Sequence, residues 1–569
     1  MPKNGAQLDA DTIADFEKWI ALGAPDPRDH PPTDAELAAD TAWPAVRERR
    51  RSWWSFQPIR DPDPPQSTGR PNASPIDRFI DAAHGVSVPM QFPLFPRSGV
   101  IARDLDRDGD VDLVFDGFDG PPQVFANDGQ GEFTAVEGIP EPGMNPWFRT
   151  GAPDLDGDGF PDLLGVSVEM PCWMRGRGGL TFDLAQCVST KLGHEDSRLS
   201  SFSWGDIDGD GDIDLALPGT PRNGFQEATE EARDHLLFND GNGYFAESWS
   251  MPESGPKASS VISLFTDRDG DRDLDLYWAT HAGFFDDLPA RFLRNDGPDA
   301  EGLPVLVDDT SEIAFDDTFS AMGVDSADLN ADGLLDYCFT DGRLQCYLSG
   351  PGGAYFEAGT ALGLEPDSSM WAGWSVDLAD LDNDGDLDAV AAGATCTGCD
   401  AANRNQVWEG DGDVFVRRTE THPFGAATDE DMGVVTADLD GDGALEVVTH
   451  GGGGAHLWWN TCTAGAWLQI RLVGHRQDVD AVGTQVAVAV GDTVRVRETQ
   501  GSRGSNQGPA ALHFGLGDVD LVDRIEVRWL DGTTSVLEDL EPRRRLTIAH
   551  PGATEHDWLP YPGEEPLSD

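Results

Sequence analysis

Seven times between residues 104 and 446, oxygen-bearing side chains stand at positions 1, 3, 5 and 9 of a nine-residue segment. The segments are DLDRDGDVD, DLDGDGFPD, DIDGDGDID, DRDGDRDLD, DLNADGLLD, DLDNDGDLD and DLDGDGALE. The first two supply Asp104, Asp106, Asp108 and Asp112, then Asp154, Asp156, Asp158 and Asp162. The next two supply Asp206, Asp208, Asp210 and Asp214, then Asp267, Asp269, Asp271 and Asp275. The last three supply Asp328, Asn330, Asp332 and Asp336; Asp380, Asp382, Asp384 and Asp388; and Asp438, Asp440, Asp442 and Glu446. Carboxylates this close repel one another unless a cation neutralises them. A hard cation such as Ca²⁺ takes six to eight oxygens at about 2.3–2.6 Å, which suits a tightly curled oxygen-rich loop. Glycine at position 6 in all but the fourth segment permits the turn. Position 7 varies freely, as expected of a residue that offers only its backbone carbonyl.

The elements that hold these loops are predicted to be strands. An EF-hand needs a bidentate Glu at position 12 between helices. Position 12 here is Phe115, Gly165, Leu217, Trp278, Phe339, Ala391 and Thr449, none of which can serve. Short apolar runs such as LVF, LALP and EVVTH follow the loops and have the length of buried strands. Asn-Asp-Gly turns recur in VFANDGQGEF, LLFNDGNGYF and FLRNDGPD, a hairpin signal. With loops beginning about 50–60 residues apart, each unit is expected to supply about four strands, and seven units to close into a ring with little free edge.

The loop, the apolar strand and N-D-G-x-G-x-F together resemble the FG-GAP and VCBS repeats of integrin-α-type propellers, over residues 95–460. That resemblance implies an all-β fold, a seven-bladed β-propeller with up to seven Ca²⁺ sites on one face. The fourth loop departs from the pattern: Arg272 takes the glycine position and Arg268 lies inside the loop, so this site is expected to be the weakest or empty. After Asn460, AWLQIRLVG, PAALHFGLGD and VDRIEVRWLDG alternate like half-exposed strands. Residues 461–552 are similar to the ASPIC/UnbV module of cartilage acidic protein-like chains, which implies a small β domain. HRQDVDAVG (475–483) stands where that family carries an S-N-R-x-G-I-G-type turn. His513 is expected to be packed core. An acidic tail follows at 553–569.

Residues 1–30 resemble the end of a planctomycete-type cytochrome c domain, with a Pro-rich linker over 31–94. The other reading of 9–22 is a short amphipathic helix with Ile13, Phe16 and Ile20 on one face. No C-x-x-C-H is present, so no haem is expected in this chain. The cytochrome resemblance implies a natural start upstream of Met1, with an export signal. Cys172 with Cys187 and Cys338 with Cys346 are candidate disulfides, and Cys396 with Cys399 a candidate loop disulfide, which points to an exported protein.

A formal charge of −64 excludes phosphate-backbone binding, which needs cationic side chains. No run of about 18 apolar residues is present, so no membrane insertion is expected. Seven divalent ions would bring the charge only to about −50, leaving a solvated acidic surface. No H-E-x-x-H, G-x-S-x-G, P-loop or dinucleotide-binding glycine pattern occurs. The expected function is calcium-dependent recognition or adhesion at a cell surface or in the periplasm, toward a protein or glycan. The alternatives are a secreted hydrolase or haem-linked oxidoreductase built on the same scaffold, and a self-assembling surface-layer component.

Overall fold

The computed structural model describes residues 99–553 with interruptions, the longest at 222–232, 251–259, 281–289 and 394–404. The features expected over residues 1–94, Cys396, Cys399, Cys462 and the tail from 554 lie outside the described residues. The described chain is almost wholly β. It opens with seven successive antiparallel sheets, whose first strands run from Val100–Arg103 to Asp431–Ala437. Five sheets supply four consecutive strands; the third supplies four with Gly219–Pro221 set aside to pair with Ser197–Leu199, and the seventh supplies three. In every one the acidic loop joins the first strand to the second. The short apolar runs after the loops are therefore strands, and they are buried throughout because both faces meet a neighbouring sheet.

Successive sheets share apolar cores. Ile101, Val114 and Val124 of the first meet Leu163, Cys172 and Met174 of the second. Tyr277 and Phe292 of the fourth meet Tyr337 and Phe339 of the fifth. Val435, Val448 and Leu457 of the seventh pack on Val100, Leu113 and Phe115 of the first. An asparagine, buried in three cases and partly buried at Asn460, reinforces four of these joints. Asn239 Nδ2 donates to Ile213 O of its own loop at 3.1 Å and to Leu155 O of the preceding loop at 2.9 Å. Asn295 and Asn460 repeat the arrangement. Asn127 does so between Val111 O and Leu439 O, at 3.0 and 2.8 Å, and thereby ties the first sheet to the seventh. Replacing Asn127 with Ala leaves two buried carbonyls short of a donor and is expected to cost about 1–3 kcal/mol, read as a lower denaturant midpoint at constant slope.

The C-terminal module is two packed sheets. One holds Ala466–Val473, Ala511–Gly517 and Arg544–Ala549; the other holds Gln485–Val490, Thr493–Glu498, Val522–Arg528 and Thr534–Leu540. Leu468, Phe514 and Ile548 from the first meet Val486, Ile525 and Val527 from the second in one core. Cys172–Cys187 and Cys338–Cys346 are disulfides between directly opposed strand residues.

Candidate metal centre

Backbone geometry curls each loop so that its carboxylates converge. Residues 4 and 6 of every loop take positive φ: 65° at Gly157 and 91° at Gly159 in the second, 60° at Asn383 and 102° at Gly385 in the sixth. Glycine or asparagine at most of these positions lowers the cost. Arg272 adopts φ 80°, a conformation that costs a non-glycine residue about 1–2 kcal/mol. The position-1 carboxylate accepts from the position-6 N–H, as in Asp154 Oδ2 from Gly159 at 2.8 Å. The position-5 carboxylate accepts from the position-7 N–H in all seven loops. The position-9 acid is a strut in every loop. Asp112, for example, accepts from Leu105 N and from Asn127 N, both at 3.0 Å, joining loop to hairpin.

These bonds bring ligand oxygens within 4.8 Å of one another in Asp104/Asp106/Asp108, Asp154/Asp156/Asp162, Asp206/Asp208/Asp210 and Asp267/Asp269/Asp271. Two oxygens on opposite sides of a calcium ion lie about 4.8 Å apart, so the spacing fits. Asp154 Oδ1, Asp267 Oδ1 and Asp380 Oδ1 are buried without a hydrogen-bond partner among the described residues. Oxygen-only donors, convergence and orphaned buried oxygens together match a hard divalent cation. Residues 1, 3, 5 and 9 of each loop would hold it, with the residue-7 carbonyl. When bound, it would cross-link loop to strand and keep the carboxylates ionised.

Electrostatics say the same. Burial pushes Asp112, Asp336 and Asp388 up to about 8, against the pull of backbone donors. Burial and neighbouring carboxylates raise Asp206 to about 7 and Asp106 and Asp208 to about 6. Without metal, groups raised in the folded state stabilise it fully below about pH 4, and that contribution is lost as pH rises through 6–8. Chelated protein is therefore expected to melt lower at pH 8 than at pH 5.5. Bound calcium would hold the same groups ionised and reverse the order. Melting curves at the two pH values, with and without chelator, check the crossing.

Arginines stand at several loops: the first contains Arg107, Arg545 lies 3.3 Å from Asp438 of the seventh, and the second and fourth each have one of their own repeat. In the second, Arg175 from the hairpin pairs with Asp156 and lies 3.4 Å from Asp158, a competitor that the loop pattern does not reveal. In the fourth, Arg268 turns toward the joint with the fifth sheet and pairs with Asp309 at 2.7 Å; it stays 3.8 Å from Asp275 and 4.0 Å from Asp269. Its principal partner is thus outside the loop, because position 2 points into the apolar joint that Leu or Ile fills elsewhere.

The C-terminal module lies over the acidic loops. Arg476 Nη1 donates to Asp210 O at 2.9 Å, and Asp478 N to Gly211 O at 3.1 Å. Glu498 accepts from Asp267 N at 2.9 Å, Val496 N donates to Asp328, and Arg495 Nε donates to Gly385 O at 2.5 Å. Gln469 Nε2 donates to Asp438 Oδ2 at 2.8 Å. The 475–483 turn is one of these contacts, and Asp480 within it pairs with Arg103. His513 is half-buried, stacked on Trp467 at 6.3 Å and bonded through Nε2 to Asn383 at 2.7 Å, so it is a packed residue that also faces the sixth loop. A segment near 499–508 reaches the first strands of the sheets. Asn506–Gln507 pair alongside Val100–Ile101, Gln507 accepts from Ala152 N at 2.7 Å, and Arg503 bridges Asp325 at 2.5 Å and Asp377 at 2.8 Å.

No described helix is long and apolar enough to cross a membrane. No curated protein matches the chain. Among solved structures it is similar to an Agrocybe aegerita protein that specifically recognises non-reducing terminal N-acetylglucosamine, at 17% identity and TM-score 0.38, over 64% of this chain and 95% of that one. It is also similar to BBS1N in complex with ARL6DN, at 10% identity and TM-score 0.41, over 67% and 99%. The FG-GAP-like repeat model matches residues 104–165, 154–217 and 328–391, and the ASPIC and UnbV model matches 474–555. The chain thus carries FG-GAP-like repeats and a C-terminal ASPIC/UnbV domain.

Proposed function

We propose that this protein is a calcium-binding recognition module that works outside the cytoplasm. Its seven sheets form a closed seven-bladed propeller, with Ca²⁺ in the loops of one face. The convergence of buried, hydrogen-bond-oriented carboxylates in these loops carries the reading. Packing of the seventh sheet on the first supports the closed ring. The two disulfides support an oxidising compartment. The second and fourth sites bind most weakly, because Arg175 and Arg268 offset ligand charge there and Arg272 strains the fourth turn. The ligand is a protein or glycan at a cell surface. Equilibrium dialysis against millimolar calcium, with bound metal counted against the dialysate, tests the metal: five to seven ions per chain are expected, and none in excess of the dialysate would end the proposal. Calcium-dependent retention on a glycan or protein array supports recognition; turnover of an arrayed polysaccharide would replace it with catalysis.

A further inference from the structure

His475 opens the 475–483 turn, and the fold gives it neighbours from distant parts of the module. Strands Ala466–Val473 and Arg544–Ala549 pair in parallel with Val473 opposite Ala549, so His475 and His550 leave adjacent strand ends together. His550 N fixes that junction by donating to Val473 O at 2.8 Å. Asp531 comes from the turn that Trp529 N closes on Thr533 O at 3.2 Å. One donor atom each from His475, Asp531 and His550 lies within 4.8 Å of the other two. A cavity of about 330 Å³ adjoins all three, and its wall carries five carboxylates against two arginines, a balance that favours a cation.

The groups around these donors orient them. Asp531 Oδ1 accepts from Thr533 N and Oγ1 at 2.8 and 2.7 Å, which leaves Oδ2 facing His550 Nε2 at 3.2 Å. Two donors about 2.0–2.1 Å from one tetrahedral zinc ion lie about 3.3 Å apart, so this pair already has the separation. Trp529 holds the His550 imidazole edge-on at 4.9 Å. Without metal, His550 Nδ1 accepts from Gly552 N at 2.8 Å, which puts the ring proton on Nε2, between Thr533 Oγ1 and Asp531 Oδ2. A metal ion takes that proton's place; the imidazole then carries its proton on Nδ1, and the Gly552 N–H turns to solvent. His475 stacks on His550 at 4.0 Å and must turn out of the stack to ligate, for which its half-buried position leaves room. We propose that His475, Asp531 and His550 bind a divalent transition ion of the zinc class, with its fourth position open to the cavity. The site goes beyond the calcium loops: none of the three residues belongs to a loop, and two imidazoles with one carboxylate suit zinc, where calcium takes oxygen.

Calorimetric titration of the untagged full chain with Zn²⁺, in millimolar calcium so that the acidic loops have their own ion, tests this. Saturable uptake of one Zn²⁺ per chain is expected, unchanged when calcium is raised tenfold. Co²⁺ in its place should give the visible absorption of a four-coordinate ion. His475→Ala should weaken zinc at least about a hundredfold, since loss of an outer partner alone costs about 10–100-fold. Asp531→Asn keeps an oxygen for the Thr533 donors, so the turn stays folded, and should weaken zinc at least about tenfold. Bound calcium should be the same in both variants and the parent, which reads this site apart from the loops. No saturable zinc uptake, zinc that calcium displaces, or affinity in His475→Ala or Asp531→Asn within threefold of the parent would overturn the assignment.

Discussion

Chelation with EDTA is expected to lower the melting temperature by about 10 °C or more, and added calcium to restore it. Linkage sets the scale: an ion at tenfold its Kd stabilises by about 1.4 kcal/mol per site, and several sites act on one set of packed sheets. Removal also leaves clusters such as Asp206, Asp208, Asp210 and Asp214 with no counter-charge, in loops where burial already disfavours ionisation. The shared cores between sheets transmit the loss, since a loosened loop frees both the strand before it and the strand after it. Magnesium should restore little, because it demands a smaller, stricter octahedral shell. A melting temperature unmoved by both EDTA and calcium would remove the metal from the account.

Arg503→Ala is the substitution expected to damage the structure most. The guanidinium lies among buried groups and bridges Asp325 and Asp377, from the first strands of the fifth and sixth sheets. Burial raises Asp325, and Arg503 is the largest influence opposing that rise, ahead of Arg497 and the Leu378 N–H. Deleting it strands two neighbouring buried carboxylates and should cost about 3–5 kcal/mol, measured by denaturant unfolding. The 499–508 segment should then become sensitive to limited proteolysis while the disulfide-linked sheets stay resistant. Asp325→Asn with Asp377→Asn in the Arg503→Met background should recover most of the loss, because no isolated charge remains. Equal stability of Arg503→Ala and the parent would show that this bridge does not hold the module.

Much of this was legible along the chain. The alternation of obligatory oxygens with a free seventh position identifies the loops, because ligand geometry is local and spans only nine residues. The strands after them were legible for the same reason. The second positive-φ position was signalled by Gly157, Gly209, Gly270, Gly441 and Asn383, yet Arg107 and Ala331 blur it. Asn127, Asn239 and Asn295 read as turn residues; that each also ties two sheets together depends on a carbonyl far away in sequence or in the preceding repeat. Arg175 looked like a hairpin residue until the fold set it against Asp156.

The sequence by itself determined an all-β repeat protein with oxygen-lined turns and a separate C-terminal β module, and it offered Cys172–Cys187 and Cys338–Cys346 among three candidate disulfides. Each rests on contacts within a few tens of residues, so spacing and residue type suffice. Only the tertiary structure decided that the module lies over the acidic loops, with Arg503, Arg495, Gln469 and Glu498 reaching partners more than 100 residues earlier, or about 30 for Gln469. Such contacts arise from two separately folded surfaces meeting, and no periodicity in the chain encodes where one surface will rest on the other.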